Sequence, residues 1–467
     1  MKEQKVRPFG IRDKLGYMFG DFGNDFTFLL SSTFLMKFYT DVVGVSAGVV
    51  GTIMMIARFV DAFTDVTMGR ICDRSPYTKH GKFKPWIRRM CGPVAVASFL
   101  MYQGALAGAP QWLKIGYLFI TYILWGSVFY TSINIPYGSM ASAISADPGD
   151  RQSLSTFRSM GGMLAGAFVT MGVPIFAYEK NESLGIDVMV GSKFTVIAGI
   201  FSVLAVGCYL LCFNLTTERV KSVAAQETQQ KNNVFVMLKN AFKNRALVSI
   251  IVASIVMLLA QLTMQAMANY VYPITYGSAD LMIVSTLLMG VGMGIAAGVA
   301  KPLARKFGKA EVAVATNLFA GILNVALFFI RPESVYVFIA FQALSWLGLG
   351  VFTMTSWALI TDVIDYSELR NGIREDGSVY ALYSFARKLG QAASAGLSGW
   401  LLSAIGYTSP DAVTSQIKDG IFNITTLFPG IGLIVLALVL WFWYPLHKKQ
   451  VDANVEALKA KHEHAEK

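Results

Sequence analysis

Charge is scarce in this sequence. Asp, Glu, Lys and Arg together make up 15% of the 467 residues, against 54% hydrophobic residues, whereas a soluble domain carries about a quarter charged residues. That balance excludes an ordinary water-soluble globular fold. Histidine is scarcer still: the four are His80, His447, His462 and His464, all outside the apolar stretches. No nucleophile–base pair and no phosphate-cradling glycine motif falls in those stretches either, so the chain does not read as an enzyme. The four cysteines, Cys72, Cys91, Cys208 and Cys212, form no disulfide framework and read as free thiols. A short polar N-terminal tail precedes a first apolar stretch too long and too acidic for a cleaved signal peptide.

Apolar windows of about 20 residues fill the chain, each long enough to cross a hydrocarbon core. Twelve are expected, near 16–38, 46–69, 90–108, 115–140, 153–178, 193–214, 246–275, 281–301, 312–331, 335–360, 379–406 and 421–445. The fold class is therefore an all-α polytopic membrane protein. The formal charge of +11 is a topology signal rather than a nucleic-acid surface, because Lys and Arg crowd into alternate connections. Examples are Arg70, Arg74, Lys79, Lys82, Lys84, Arg88 and Arg89, and later Lys301, Arg305, Lys306 and Lys309. The positive-inside rule then puts both termini and the basic loops in the cytoplasm, as expected of a multi-pass protein of the plasma membrane. No nucleic-acid partner is expected; membrane lipids are.

The longest polar interruption, 216–245, divides the spans six and six. Four regions are expected: a first six-helix half over 1–215, a linker over 216–245, a second six-helix half over 246–446 and a polar tail over 447–467. Within the linker, Phe235, Leu238 and Phe242 share one face among Asn and Lys, the pattern of an interfacial amphipathic helix. Two six-helix halves around a polar loop are the layout of major facilitator transporters. Glycines such as Gly161, Gly162 and Gly166 allow close helix approach within the spans.

Against this apolar background, Asp25, Asp61 and Asp65 sit inside expected spans. A charge at mid-membrane depth costs about 2.5–3.5 kcal/mol even on the lenient insertion scale. Asp61 and Asp65 are four residues apart, which puts both carboxylates on one helix face. With a third acid from a neighbouring helix they make a hard-oxygen site suited to Na⁺, Li⁺ or a proton; Arg58 balances one acid and not three. Other polar groups also fall in spans: Asn134 after Tyr130, Thr131 and Ser132, then Arg158, Tyr383, Ser384, Arg387 and Lys388. Acceptors, amides and cations beside aromatic rings suit a neutral polyhydroxylated ligand.

These residues resemble the glycoside–pentoside–hexuronide:cation symporters, the melibiose permease group of the major facilitator superfamily. The likeness runs from about Lys14 to Tyr407. It is carried by Gly20-Asp-Phe-Gly-Asn-Asp25-Phe, Phe38-Tyr-Thr-Asp-Val-Val-Gly44, Ala57-Arg-Phe-Val-Asp61-Ala-Phe-Thr-Asp65, Gly81-Lys-Phe-Lys-Pro-Trp86, Asn134-Ile-Pro-Tyr-Gly138, Asp362-Val-Ile-Asp365-Tyr366 and Arg387-Lys388. It implies a cation site at Asp61, Asp65, Thr64 and Ser384, holding Na⁺ if the coupling is to sodium. It implies sugar contacts at Asp25 and Arg158, with Lys388 linking the two regions; Asn134 and Tyr383 join the substrate set. Asn134 stands where the permease has a sugar-binding aspartate, and Gly138 and Thr353 where it has tryptophans. These departures point from galactosides toward the pentoside, xyloside and glucuronide branches.

The expectation is a symporter that imports a glycoside or pentoside-type sugar with Na⁺ or H⁺ by alternating access. No further cofactor is expected. A lysolipid-type cation symporter and a non-transporting sugar sensor are the rival readings. Asp73, Arg74, Asp362 and Asp365, at ends of spans in opposite halves, are expected to form a charged gate.

Overall fold

The computed structural model describes residues 7–220, 244–371 and 376–465. The expected amphipathic helix around Phe235–Phe242 lies outside them. The described residues contain twelve long helices and one polar C-terminal helix. They are α1 (Ile11–Phe38), α2 (Ala47–Arg74), α3 (Lys84–Leu100) and α4 (Gln111–Ile144). Next come α5 (Pro148–Ala177), α6 (Gly191–Leu215), α7 (Arg245–Thr275) and α8 (Leu281–Phe307). Last are α9 (Lys309–Ile330), α10 (Val335–Asn371), α11 (Asp376–Ala404), α12 (Ser415–Trp443) and α13 (Lys448–Ala465). Nine of these, by length and composition alone, suffice to cross a membrane. The other three long helices are the short α3, of 17 residues, and two that carry charge: α1 with Asp21, Asp25 and Lys37, and α11 with Arg387 and Lys388.

Local chemistry sets several boundaries. Asp147 caps α5 by accepting from the Asp150 N–H at 2.9 Å, with Pro148 opening the helix. Asn244 caps α7 through the N–H groups of Ala246 and Leu247 at 3.1 and 3.2 Å. The start of α3 is held differently. The Glu218 carboxylate accepts from the N–H groups of Lys82, Phe83 and Lys84 at 2.7–2.9 Å, placing a negative charge on the positive end of the helix. The third span thus begins at Lys84 and ends at Leu100, earlier at both ends than its hydropathy window, 90–108. A 3₁₀ turn, Gly104–Gly108, follows.

The chain forms two compact units. The first is Met1–Thr228 with Tyr272–Met282 and Leu402–Val413; the second is Gln229–Val271, Ile283–Leu401 and Thr414–Lys467. In the first, α1 packs against α5 and α6, α3 against α6, and α2 against α4. In the second, α7 packs against α12, and α9 against α10 and α12. The pairs α1–α6 and α3–α6 recur six helices later as α7–α12 and α9–α12, which is the internal repeat expressed as packing. A hairpin not anticipated from hydropathy, β1 (Tyr178–Asn181) with β2 (Ile186–Met189), is antiparallel and turns at Gly185, φ 64°.

The α1–α5 crossing depends on two glycines. A Cβ at Gly161 would lie 2.7 Å from the Met18 carbonyl oxygen, and one at Gly162 would lie 2.7 Å from Asp25 Oδ2 and 3.1 Å from Asp21 Oδ2. Any side chain there would push α5 off the acidic face of α1.

Candidate functional site

On α2, Asp61 and Asp65 share a face, and α4 answers them with two hydroxyls at the same spacing. Ser127 Oγ donates to Asp61 Oδ1 at 2.5 Å, and Thr131 Oγ1 donates to Asp65 Oδ1 at 2.9 Å. Both hydroxyls sit where α4 passes through a π-helical stretch, Leu124–Tyr130, and returns to α-helix at Thr131. Such a bulge adds a residue to the turn and re-aims the side chains that follow it. Arg58 Nη1 stands 3.6 Å from Asp61 Oδ2, its guanidinium 4.8 Å over the Phe28 ring. Thr64 donates its hydroxyl to the Asp61 carbonyl at 3.2 Å, so its oxygen points back along the helix axis. Two carboxylates bridged to hydroxyl oxygens form an oxygen-rich pair fit for a hard monovalent cation or a proton.

The second cluster lies between α1, α4, α5 and α6. Arg158 Nε donates to Asp21 Oδ1 at 2.9 Å, and its guanidinium sits 5.1 Å over the Tyr137 ring. Tyr137 stacks on Tyr17, centroids 4.6 Å apart, and donates its hydroxyl to the Tyr17 carbonyl at 2.7 Å. Asn134 accepts from Asn24 Nδ2 at 3.3 Å, and Asn24 in turn accepts from the Tyr209 hydroxyl at 2.9 Å. Asp25, one turn after Asp21, is half-buried and makes no hydrogen bond or ion pair among the described residues. Asp25, Asn134 and Arg158 are therefore brought into one neighbourhood. Arg158's ionic partner there is Asp21, a residue that sequence reasoning quoted within a motif without assigning it a role.

In the second unit, Tyr383 is wholly buried, its hydroxyl 2.8 Å from Ser254 Oγ. Trp357 stacks on Tyr380 at 5.0 Å and lies under the Arg387 guanidinium at 5.6 Å. Ser384 lies half-buried on α11 and Lys388 is exposed one turn later. Asp362 is 7% exposed and bound by Lys309 Nζ at 2.5 Å, with Asp365 half-buried one turn on. Asp73 and Arg74 are exposed at the end of α2.

Sequence reasoning missed Ser127, Asn24 and Tyr209 as well as Asp21, and set Thr131 among the hydroxyls beside Asn134 rather than with the acids. For the two hydroxyls a signal existed: their four-residue spacing repeats that of the acids they meet. It also missed a fully buried trio at the end of α1. Lys37 Nζ lies 2.6 Å from Asp41 Oδ2, and the Tyr407 hydroxyl donates to Asp41 Oδ1 at 2.8 Å. Both charged side chains are 1% exposed.

The family described as MFS/sugar transport protein matches residues 16–448. Over 440 residues the chain is 30% identical to a protein named glucuronide carrier protein homolog from Escherichia coli (strain K12), covering 94% of this chain and 93% of that one. It is 29% identical over 453 residues to a putative sulfoquinovose importer of Salmonella typhimurium, covering 96% and 92%. Among solved structures, a mutant nucleoside transporter superposes with a TM-score of 0.67 at 15% identity, covering 92% of this chain and 98% of that one. A D-xylose-proton symporter gives 0.60 at 17% identity, covering 93% and 97%.

Proposed function

Because this chain belongs to the MFS/sugar transport protein family, a family of transporters with the major facilitator fold, we propose that it imports a glycoside or pentoside-type sugar together with Na⁺ or H⁺, Li⁺ being a further candidate. Asp61 and Asp65 take the cation, with Thr64 and Ser384 as neighbouring oxygens. Asp25, Asn134 and Arg158 take the sugar, with Lys388 and Tyr383 contributed by α11. The relatives named for glucuronide and sulfoquinovose support a sugar-like substrate. The basic loops support a plasma-membrane protein with both termini in the cytoplasm.

One observation carries the coupled reading. Helix α4 holds the hydroxyls that bond Asp61 and Asp65, and within its next two turns it carries Asn134 and Tyr137, which face the Arg158 cluster. A cation that draws the two acids together pulls on Ser127 and Thr131, and the same rigid helix presents Asn134 to the sugar. If both ligands favour one state of the transporter, each tightens the other by the same factor. At the cytoplasmic face, Asp73 and Arg74 from one half and Asp362 and Asp365 from the other act as the charged gate, with Lys309 fixing Asp362.

The test is a panel of glycosides and pentosides in proteoliposomes with imposed Na⁺ or H⁺ gradients. Gradient-driven accumulation of at least one sugar is expected. Sugar binding with neither accumulation nor counterflow under any gradient would favour a sensor and remove the transport reading.

A further inference from the structure

Arg158 is the cation of the Asp25 cluster, and its Nε is directed at Asp21. The Arg158 side chain is 41% exposed, and the Tyr17 side chain also bonds its guanidinium. Nη1 stands beside Gly138, where a Cβ would come to 3.9 Å from it. Asp21 and Asp25 both direct Oδ2 at Gly162, so two carboxyl groups share the neighbourhood of one guanidinium. We propose that Asp21 is a specificity-determining residue that sets the charge of the accepted sugar. By pairing with Arg158 it neutralises the one cation of this cluster that could meet a substrate carboxylate, which favours uncharged sugars over acidic ones. It also fixes the orientation of the guanidinium through Nε. The inference rests on the reading that this cluster binds sugar.

The physical argument separates charge from positioning. Asp21→Asn keeps an oxygen able to accept from Arg158 Nε while removing the negative charge that neutralises the guanidinium, so that a substrate carboxylate can take that role. Asp21→Ala removes both. The measurement is calorimetric binding of methyl glucoside and methyl glucuronide, which differ by a hydroxymethyl against a carboxylate, to purified folded protein. Wild type is expected to prefer the glucoside. In Asp21→Asn the glucoside affinity stays within a few-fold while the preference ratio moves by about tenfold or more toward the glucuronide, the scale of a removed charge a few ångströms away in a partly shielded site. In Asp21→Ala both affinities fall. An unchanged ratio in Asp21→Asn, loss of both sugars in that variant, or a wild type that already prefers the glucuronide would each overturn the proposal.

A second arm reads the pair without substrate. Modification of Arg158 by an arginine-directed dicarbonyl, followed by peptide mass spectrometry, is expected to accelerate several-fold in Asp21→Ala and little in Asp21→Asn. If wild type bound neither sugar while Arg158 modification still followed this order, the sugar-site reading would fail and the Asp21–Arg158 pair would stand. If modification ignored Asp21, the pair itself would be refuted.

Discussion

Asp61 and Asp65 were legible because a carboxylate in an apolar helix is conspicuous; the hydroxyls that hold them were not. Serine and threonine in spans commonly bond the carbonyl four residues back, as Thr121 does to Tyr117 and Ser139 to Ile135, so residue type alone does not separate a helix-internal hydroxyl from a site hydroxyl. Thr131 does both: its hydroxyl lies 2.9 Å from Asp65 Oδ1 and 3.1 Å from the Gly126 carbonyl oxygen. Thr131→Val keeps its shape and removes its donor. A hydrogen bond to a charged partner contributes about 1.5–3 kcal/mol, so apparent affinity for the coupling cation should drop by about tenfold or more. Sugar exchange without a gradient should be far less affected. Cation-activation curves of counterflow check this, and an unshifted curve would detach Thr131 from the cation site. Asp21 illustrates the opposite failure. It was visible one turn before Asp25, yet only the position of α5 shows which of the two acids meets Arg158.

At the scale of elements, hydropathy placed the long helices but not what re-aims them. The π-helical stretch in α4, Leu124–Tyr130, contains no proline or charged residue to mark it in the sequence. The β-hairpin has strands of four residues, too short for a period-two pattern to stand out beside two long helices. The end of α1 hides its chemistry as well. Lys37 and Asp41 read as a flank of the first span, and only the approach of Tyr407, 370 residues away from Lys37, makes them a buried network. Removing one partner of a buried ion pair costs about 3–5 kcal/mol, because the other charge is left uncompensated. Lys37→Met and Asp41→Leu should each lower the melting temperature in detergent, and the double variant should recover much of the loss. Two single losses that simply add in the double variant would contradict the pairing.

For the whole molecule, composition and loop charge carried the architecture: twelve long helices among the described residues, and a pairing of helices in the first unit that recurs in the second. Two of the three long helices that fall outside the apolar set, α1 and α11, bear charges placed at sites here. Function in a membrane requires polar groups, and those groups weaken the signal by which spans are found. The gate belongs to this scale. Asp362→Asn with Asp365→Asn should shift the resting protein toward the inward-open state by a few-fold, read as faster labelling of single cysteines placed near the cytoplasmic ends of the spans. Lys309→Ala serves as the control for freeing that lysine. Asp73 and Arg74 are exposed, and pairs made at an exposed surface contribute only about 0–1 kcal/mol each, so an effect on gating far larger than this would indicate unfolding. The central claim is that the Asp61–Asp65 pair couples a cation to sugar movement. It is tested most directly by Asp65→Cys in proteoliposomes, with accumulation under an imposed Na⁺ or H⁺ gradient and sugar counterflow measured on the same preparation. The account predicts that accumulation is lost while counterflow persists; accumulation equal to that of the unmodified protein would contradict it.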